Sequence, residues 1–243
     1  MALSGNKWRK YVYMKSFAAL APHLPNTRLM SKDALWQMVG KYGYAIVKPA
    51  NGSRGRGVIQ VAALRNGGYE LHYENRKTRV GDFERVYAYI RRIVGSSSYL
   101  VQWRVPRATV NGRPFDLRVV VQRRRNSNSW NVTGKLAKVA GKGYIVSNIT
   151  RSKGRVLPVH AAIRRSTIIR KQGADARVHR VALLSAHKLG KMYPGHRIFG
   201  LDVGLDRSGH VWIIEANLFP SMSHFLKLGD KTMIQRIRAF RNG

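Results

Sequence analysis

The sequence predicts an α+β fold built as two lobes, and three observations carry that prediction. Helical and strand-like patterns alternate irregularly along the 243 residues, with no internal repeat and no low-complexity segment. Hydrophobic residues make up 44% of the chain, enough to build a sizeable core despite its charge. Composition shifts most near Gly95 to Ser98, which divides the chain into lobes at 1–97 and 98–243.

The elements follow in order. Ser31 to Tyr42 reads as a helix with Ser31 as N-cap, Leu35, Met38, Val39 and Tyr42 on one face, and Gly43 as the stop. Tyr44 to Lys48, Val58 to Val61 and Tyr69 to Tyr73 have the β-branched and aromatic content of short strands. Asp82 to Ile93 is a second helix, capped by Asp82 and ended by Gly95. Tyr99 to Trp103, Asp116 to Gln122 and Trp130 to Val139 are the next strands, with Asn126 to Ser129 as the turn between the last two. Val178, Val181, Ala182, Leu189 and Met192 share a helical face, a hairpin spans Leu201 to Asn217, and a last helix covers about 231–240.

Charge is the most unusual property. Forty-five Lys and Arg against 11 Asp and Glu give a formal +34, and residues 151–197 hold twelve of the cations and one acid, Asp175. Such a surface favours a polyanionic neighbour, whether nucleic acid, an acidic peptide, an anionic cell-wall polymer or a membrane surface; a solvated basic surface with no dedicated ligand is the alternative. The absence of cysteine removes disulfides, thiolate nucleophiles and Cys-based zinc sites. No apolar run approaches the roughly 18 residues of a membrane span, and Lys7, Arg9 and Lys10 stand where a signal peptide needs an apolar stretch, so a soluble cytosolic protein is expected.

Three constellations carry chemistry. In the hairpin, the turn Asp206-Arg-Ser-Gly209 lies between two apolar runs; pairing Leu205 with His210 makes Asp202 and Glu215 diagonal neighbours, with Asn217 on the same face. Converging carboxylates repel unless a cation joins them, and an oxygen-preferring ion such as magnesium fits; a plain exposed hairpin is the alternative. The second is Lys48 followed by Gly52, Ser53, Arg54, Gly55, Arg56 and Gly57, a loop whose glycines let backbone amides approach phosphate oxygens. It lacks the Gly-Lys-Ser/Thr and the helix of a Walker loop, so a strand-loop-strand cover over phosphates fits better, with a flexible hairpin as the alternative. The third joins Gln102-Trp-Arg-Val105, a linker able to face an adenine edge, to Asp116 and Arg118, which share one strand face and can simply pair with each other.

Taken in order, these constellations resemble the ATP-grasp superfamily and, more closely, its YheC/YheD family, associated with the endospore coat. The motifs are Leu-Pro-Asn-Thr-Arg-Leu at 24–29, Lys-Pro-Ala-Asn-Gly-Ser at 48–53, Phe-Asp-Leu-Arg at 115–118, Val-Ser-Asn-Ile at 146–149 and Glu-Ala-Asn at 215–217. The resemblance implies an ATP-grasp fold whose two α+β lobes clasp the nucleotide, without a full N-terminal pre-ATP-grasp domain. It implies ATP and magnesium as ligands. Lys48 stands where a lysine contacts the α- and β-phosphates, Ser53, Gly55 and Gly57 in the phosphate loop, and Gln102 to Val105 at the adenine-facing hinge. Asp116 resembles the acid near the ribose or acceptor, Arg118 and Lys138 the cations near the γ-phosphate, and Asn148 a further polar contact. Asp202, Glu215 and Asn217 resemble the magnesium ligands. The glycine pair usual after Asn148 is replaced by Ser152-Lys153-Gly154.

The activity implied is ATP-dependent joining of a carboxylate to an amine through an acyl phosphate, on an acidic or polymeric acceptor. Two alternatives stand beside it: a non-catalytic, spore coat-associated protein that binds a polyanion, and a kinase using the same ATP site.

Overall fold

The structure is a computed structural model, and it describes residues 5–52, 56–144 and 149–242. Two six-stranded antiparallel sheets dominate it, each with helices packed against it.

The first sheet has the order β1-β6-β2-β3-β4-β5, comprising β1 (Thr27–Leu29), β2 (Tyr44–Pro49), β3 (Ile59–Ala63), β4 (Tyr69–Tyr73), β5 (Arg76–Val80) and β6 (Tyr99–Trp103). Helices α2 (Lys32–Tyr42) and α3 (Phe83–Val94) cover one face. Their ends follow the sequence signals. Ser31 accepts from the Ala34 amide, Asp82 accepts from the Arg85 amide, and Gly43 takes the left-handed conformation at φ 73° that a side chain would disfavour. Leu35, Met38, Val39, Val86 and Ile90 meet Val47, Val61, Leu71 and Val101 in a continuous core. Alternation turns Lys48, Gln60, His72 and Gln102 to the opposite face, where they too are buried.

The second sheet has the order β10-β9-β8-β11-β12, with β7 (Thr109–Val110) added against β8. Its strands are β8 (Arg113–Gln122), β9 (Asn131–Val139), β10 (Arg155–Leu157), β11 (Ile198–Leu205) and β12 (Val211–Asn217). Helices α1 (Lys7–Lys15), α5 (Val159–Arg165) and α6 (Ala174–Met192) bury Phe115, Leu117, Val119, Phe199 and Leu201 on one face. The other face receives α7 (Ser223–Leu228) and α8 (Lys231–Asn242) over Val120 and Leu136, with the short α4 (Ile149–Ser152) leading into β10.

Several elements differ from the sequence reading. β6 pairs with β1 and β2, so the strand that the reading gives to the second lobe lies in the first sheet, and the chain changes sheets after Trp103. α1, β1 and β5 went unread: α1 is dominated by charge, β1 has three residues, and β5, Arg76 to Val80, is almost wholly exposed. The hairpin register also changes. A bulge between Asp202 and Val203 sets Asp202 directly opposite Glu215, not diagonal to it, while Leu205 faces Val211.

Gly200 marks a tight contact: a Cβ there would lie 2.3 Å from Pro220 Cβ. The proline ring cannot rotate away, so the loop after β12 must move to admit a side chain. Gly200→Ala is expected to lower stability by about 1–3 kcal/mol. A urea melt of both proteins checks this; an unchanged midpoint would show that the loop yields freely.

Candidate functional site

The site grows from one row of side chains across the second sheet. Register places Lys138 of β9 beside Asp116 of β8, Arg118 of β8 beside Asp202 of β11, and Asp202 beside Glu215 of β12. Partners directly opposite in a ladder share a face, so four adjacent strands deliver these charges to one surface.

Asp202 is the centre of the row. Arg118 grips it with two parallel hydrogen bonds, Nε to Oδ1 at 3.0 Å and Nη2 to Oδ2 at 3.1 Å. Lys138 Nζ donates to Oδ1 at 2.8 Å and Asn217 Nδ2 to Oδ2 at 3.3 Å. Burial alone would raise the Asp202 carboxyl pKa, but the attraction of Arg118 and Lys138 outweighs it and holds the group well below the usual carboxylate range. Lys138 also lies 3.5 Å from Asp116, whose Oδ1 is buried without a hydrogen-bond partner.

The first sheet faces this row with Lys48. Its Nζ donates to Gln102 Oε1 at 2.8 Å and to the Ile214 carbonyl of β12 at 3.2 Å, so one lysine joins the two sheets. Gln102 in turn donates to Thr27 Oγ1 at 2.9 Å. Burial pushes the Lys48 ammonium down to about 8, with Glu215 pulling it back up. Gln60 and His72, on the same sheet face, leave Oε1 and Nε2 buried without hydrogen-bond partners. Buried polar atoms are almost always satisfied in a folded protein, so orphans on facing surfaces ask for a polar ligand between them.

Helix α1 contributes two lysines that the sequence reading did not select. Lys7 Nζ donates to the Gly52 carbonyl at 2.6 Å and lies 3.7 Å from Glu215 Oε1. Lys10 donates to the Ala216 carbonyl, and burial lowers its ammonium to about 8. Their spacing of three residues, which places them on one helical face, was the available signal. His224 of α7 is a further addition. Burial first, then Lys138 and Arg118, lower its pKa, and its Nδ1 is buried without a hydrogen-bond partner.

The structure therefore brings together Lys48, Gln102, Asp116, Arg118, Lys138, Asp202, Glu215 and Asn217. Gln102 enters by its side chain, since its backbone lies in an interior strand, and Val105 is buried just beyond β6. Gly57 has φ 74°, and a Cβ there would meet the Tyr99 hydroxyl at 2.6 Å, which accounts for glycine at that position. Ser53, Gly55 and Asn148 lie outside the described residues.

Five cationic side chains, Lys7, Lys10, Lys48, Arg118 and Lys138, thus stand among three carboxylates, Asp116, Asp202 and Glu215. The surplus is positive and partly desolvated, an arrangement suited to a polyphosphate. Among the described residues no group of three or more His, Cys, Asp or Glu could hold a metal. Two carboxylates and a carboxamide nevertheless suit magnesium, which is commonly held by one or two carboxylates together with substrate phosphate oxygens.

A family model described as YheC/D-like ATP-grasp matches residues 2–240. The endospore coat-associated protein YheD of Bacillus subtilis (strain 168) is 29% identical over 231 residues, covering 90% of this chain and 49% of YheD. The chain thus spans about half the length of that relative. Among solved structures, D-cycloserine synthetase DcsG superimposes with a TM-score of 0.59 at 10% identity, over 97% of this chain and 70% of that one. The ATP-grasp ligase PsnB, in complex with a precursor variant, Mg and ADP, gives 0.55 at 14% identity, over 96% and 57%. The family match, with these structural likenesses, identifies the two-sheet architecture as the ATP-grasp fold.

Asp202 sets the stability of the row. Asp202→Asn leaves Arg118 and Lys138 buried without their shared counter-charge and is expected to cost about 3 kcal/mol. Because the folded-state carboxyl is depressed, its contribution is present above about pH 4 and is lost as pH falls through the lowered value. Urea midpoints at pH 7 and pH 3 should therefore differ less in the variant; equal stability at pH 7 would show that the charges are independently solvated.

Proposed function

The chain belongs to the YheC/D-like ATP-grasp family, and from that premise we propose that it binds ATP with magnesium and uses it to join a carboxylate to an amine. The observation that carries this reading is the contact between Lys48 and the Ile214 carbonyl, beside the charged row of Asp202, Arg118 and Lys138.

On this reading the triphosphate lies between the sheets. Lys48 neutralises the α- and β-phosphates, and Ser53, Gly55 and Gly57 belong to the loop that covers them. Gln102 to Val105 face the adenine, Asp116 reaches the ribose or acceptor region, and Asn148 adds a polar contact. Asp202, Glu215 and Asn217 would hold magnesium, which when bound draws charge from the phosphate oxygens. Arg118 and Lys138 stand where charge develops on the γ-phosphate. An acceptor carboxylate oxygen attacks the γ-phosphorus and ADP leaves; an amine then attacks the acyl carbon and inorganic phosphate leaves. The two-lobe division remains part of the proposal, with its boundary placed after Trp103 and not at 97/98, because β6 is seated in the first sheet.

The charge of residues 151–197 supports an acidic or polymeric acceptor. Their single acid, Asp175, is paired with Lys135 at 2.6 Å, and α6 turns Arg180 and Lys191 to solvent. Long-range attraction draws a polyanion toward such a surface. Spore association is consistent with the relatives YheD and YheC, which are endospore coat-associated proteins, and no helix among the described residues is long and apolar enough to cross a membrane.

Lysine titration gives the test. ATP binding requires the ammonium form of Lys48, so affinity should hold steady below pH 8 and then fall by roughly tenfold per pH unit for each lysine that must regain a proton. Lys48→Met should weaken binding and make the decline shallower by about one proton. Glu215→Ala should remove the magnesium dependence of binding and any ATP turnover with candidate acceptors. Calorimetric titrations of a non-hydrolysable ATP analogue across pH, with and without magnesium, check the binding predictions, and ATP consumption with candidate acceptors checks the last; turnover that survives in Glu215→Ala contradicts the metal role.

A further inference from the structure

Beyond the ATP reading, one cavity on the second sheet has no assigned occupant. It encloses about 670 Å³, within the range of roughly 300–1,000 Å³ typical of small-molecule sites. The cavity lies between α7, α8 and the ends of β8 and β11 that point away from Asp202. Phe225, Ile237 and Phe240 form much of its apolar wall, and Phe219 and Leu226 stand exposed at its lining.

Its charged groups are of one sign. Arg197, Arg238 and Arg241 line it, and no Asp or Glu does. Arg197 Nη2 donates to the Arg241 carbonyl at 3.1 Å, while its Nη1 is buried without a hydrogen-bond partner. Gln122 is already engaged, donating to the Ile237 carbonyl at 3.2 Å and accepting from Thr133. Three arginines on an apolar chamber with no acid among its lining residues leave a positive surplus that an anionic acceptor meets best.

We propose that this cavity binds an apolar molecule bearing a carboxylate, with the apolar body against Phe225, Ile237 and Phe240 and the carboxylate on Arg197. Gln122 and Arg118 share one face of β8, four residues apart, so the cavity opens roughly 13 Å along the strand from the charged row. Resting on the reading given above, that position suits the part of the acceptor remote from the transferred phosphate. The binding itself needs no nucleotide.

The probe is decanoate, compared with uncharged decanol, titrated calorimetrically into the full chain at fixed ionic strength without ATP. Decanoate should bind one to one and at least tenfold tighter than decanol. Arg197→Gln should bring decanoate down to the affinity of decanol, and Leu226→Trp, which fills the mouth, should weaken both. Equal affinities, a preference that survives Arg197→Gln, insensitivity to Leu226→Trp, or many decanoates adsorbed per chain would each overturn the proposal. Binding of the ATP analogue in the same variants separates the readings: its retention alongside lost decanoate selectivity locates the failure in the cavity alone.

Discussion

The structure turns on the ion cluster around Asp202. One carboxylate accepts from Arg118, Lys138 and Asn217 at once, and with Asp116 beside Lys138 it lets two cations be buried side by side. The burial is costly, because taking charges out of water is repaid only when geometry and hydrogen bonding are good. Lys48 and Lys10 carry a desolvation strain of their own: burial lowers both ammonium groups to about 8. A polyanion entering between the sheets would relieve that strain, so the same charges that oppose compactness in the free chain become binding energy in the complex.

Sheet geometry makes the cluster possible. Antiparallel neighbours place residues of four strands level with one another, and alternation divides each sheet into two different surfaces. In the second sheet, Leu117, Val119 and Val121 face the core beneath α6 while Asp116, Arg118, Val120 and Gln122 face the other way. That second face changes character along its length: charge near Asp202, then the apolar chamber under α8. In the first sheet the same division sets Val47, Val61 and Leu71 against α2 and α3, and turns Lys48, Gln60 and His72 inward as polar groups.

Much of this was legible in the sequence because its signals are local. Ser31 with Gly43 and Asp82 with Gly95 are caps that state where a helix begins and ends. Acids are scarce, so Asp202 and Glu215 stood out within apolar runs. What escaped depends on tertiary context. The bulge lies in the pairing of β11 with β12, where Ile214 is the extra residue, and turn residues alone give no sign of it. Lys7 and Lys10 look like two surface cations among forty-five until α1 is docked beside β12. Gln60 and His72 gain meaning only when their strand face is known to be covered.

The most direct measurement of the central claim is a crystal structure of the chain with a non-hydrolysable ATP analogue and manganese, whose anomalous scattering locates the ion. The account requires the manganese peak within coordination distance of Asp202 and Glu215, with the terminal phosphate beside Arg118 and Lys138. An ordered nucleotide elsewhere, or a metal peak remote from both carboxylates, would contradict it.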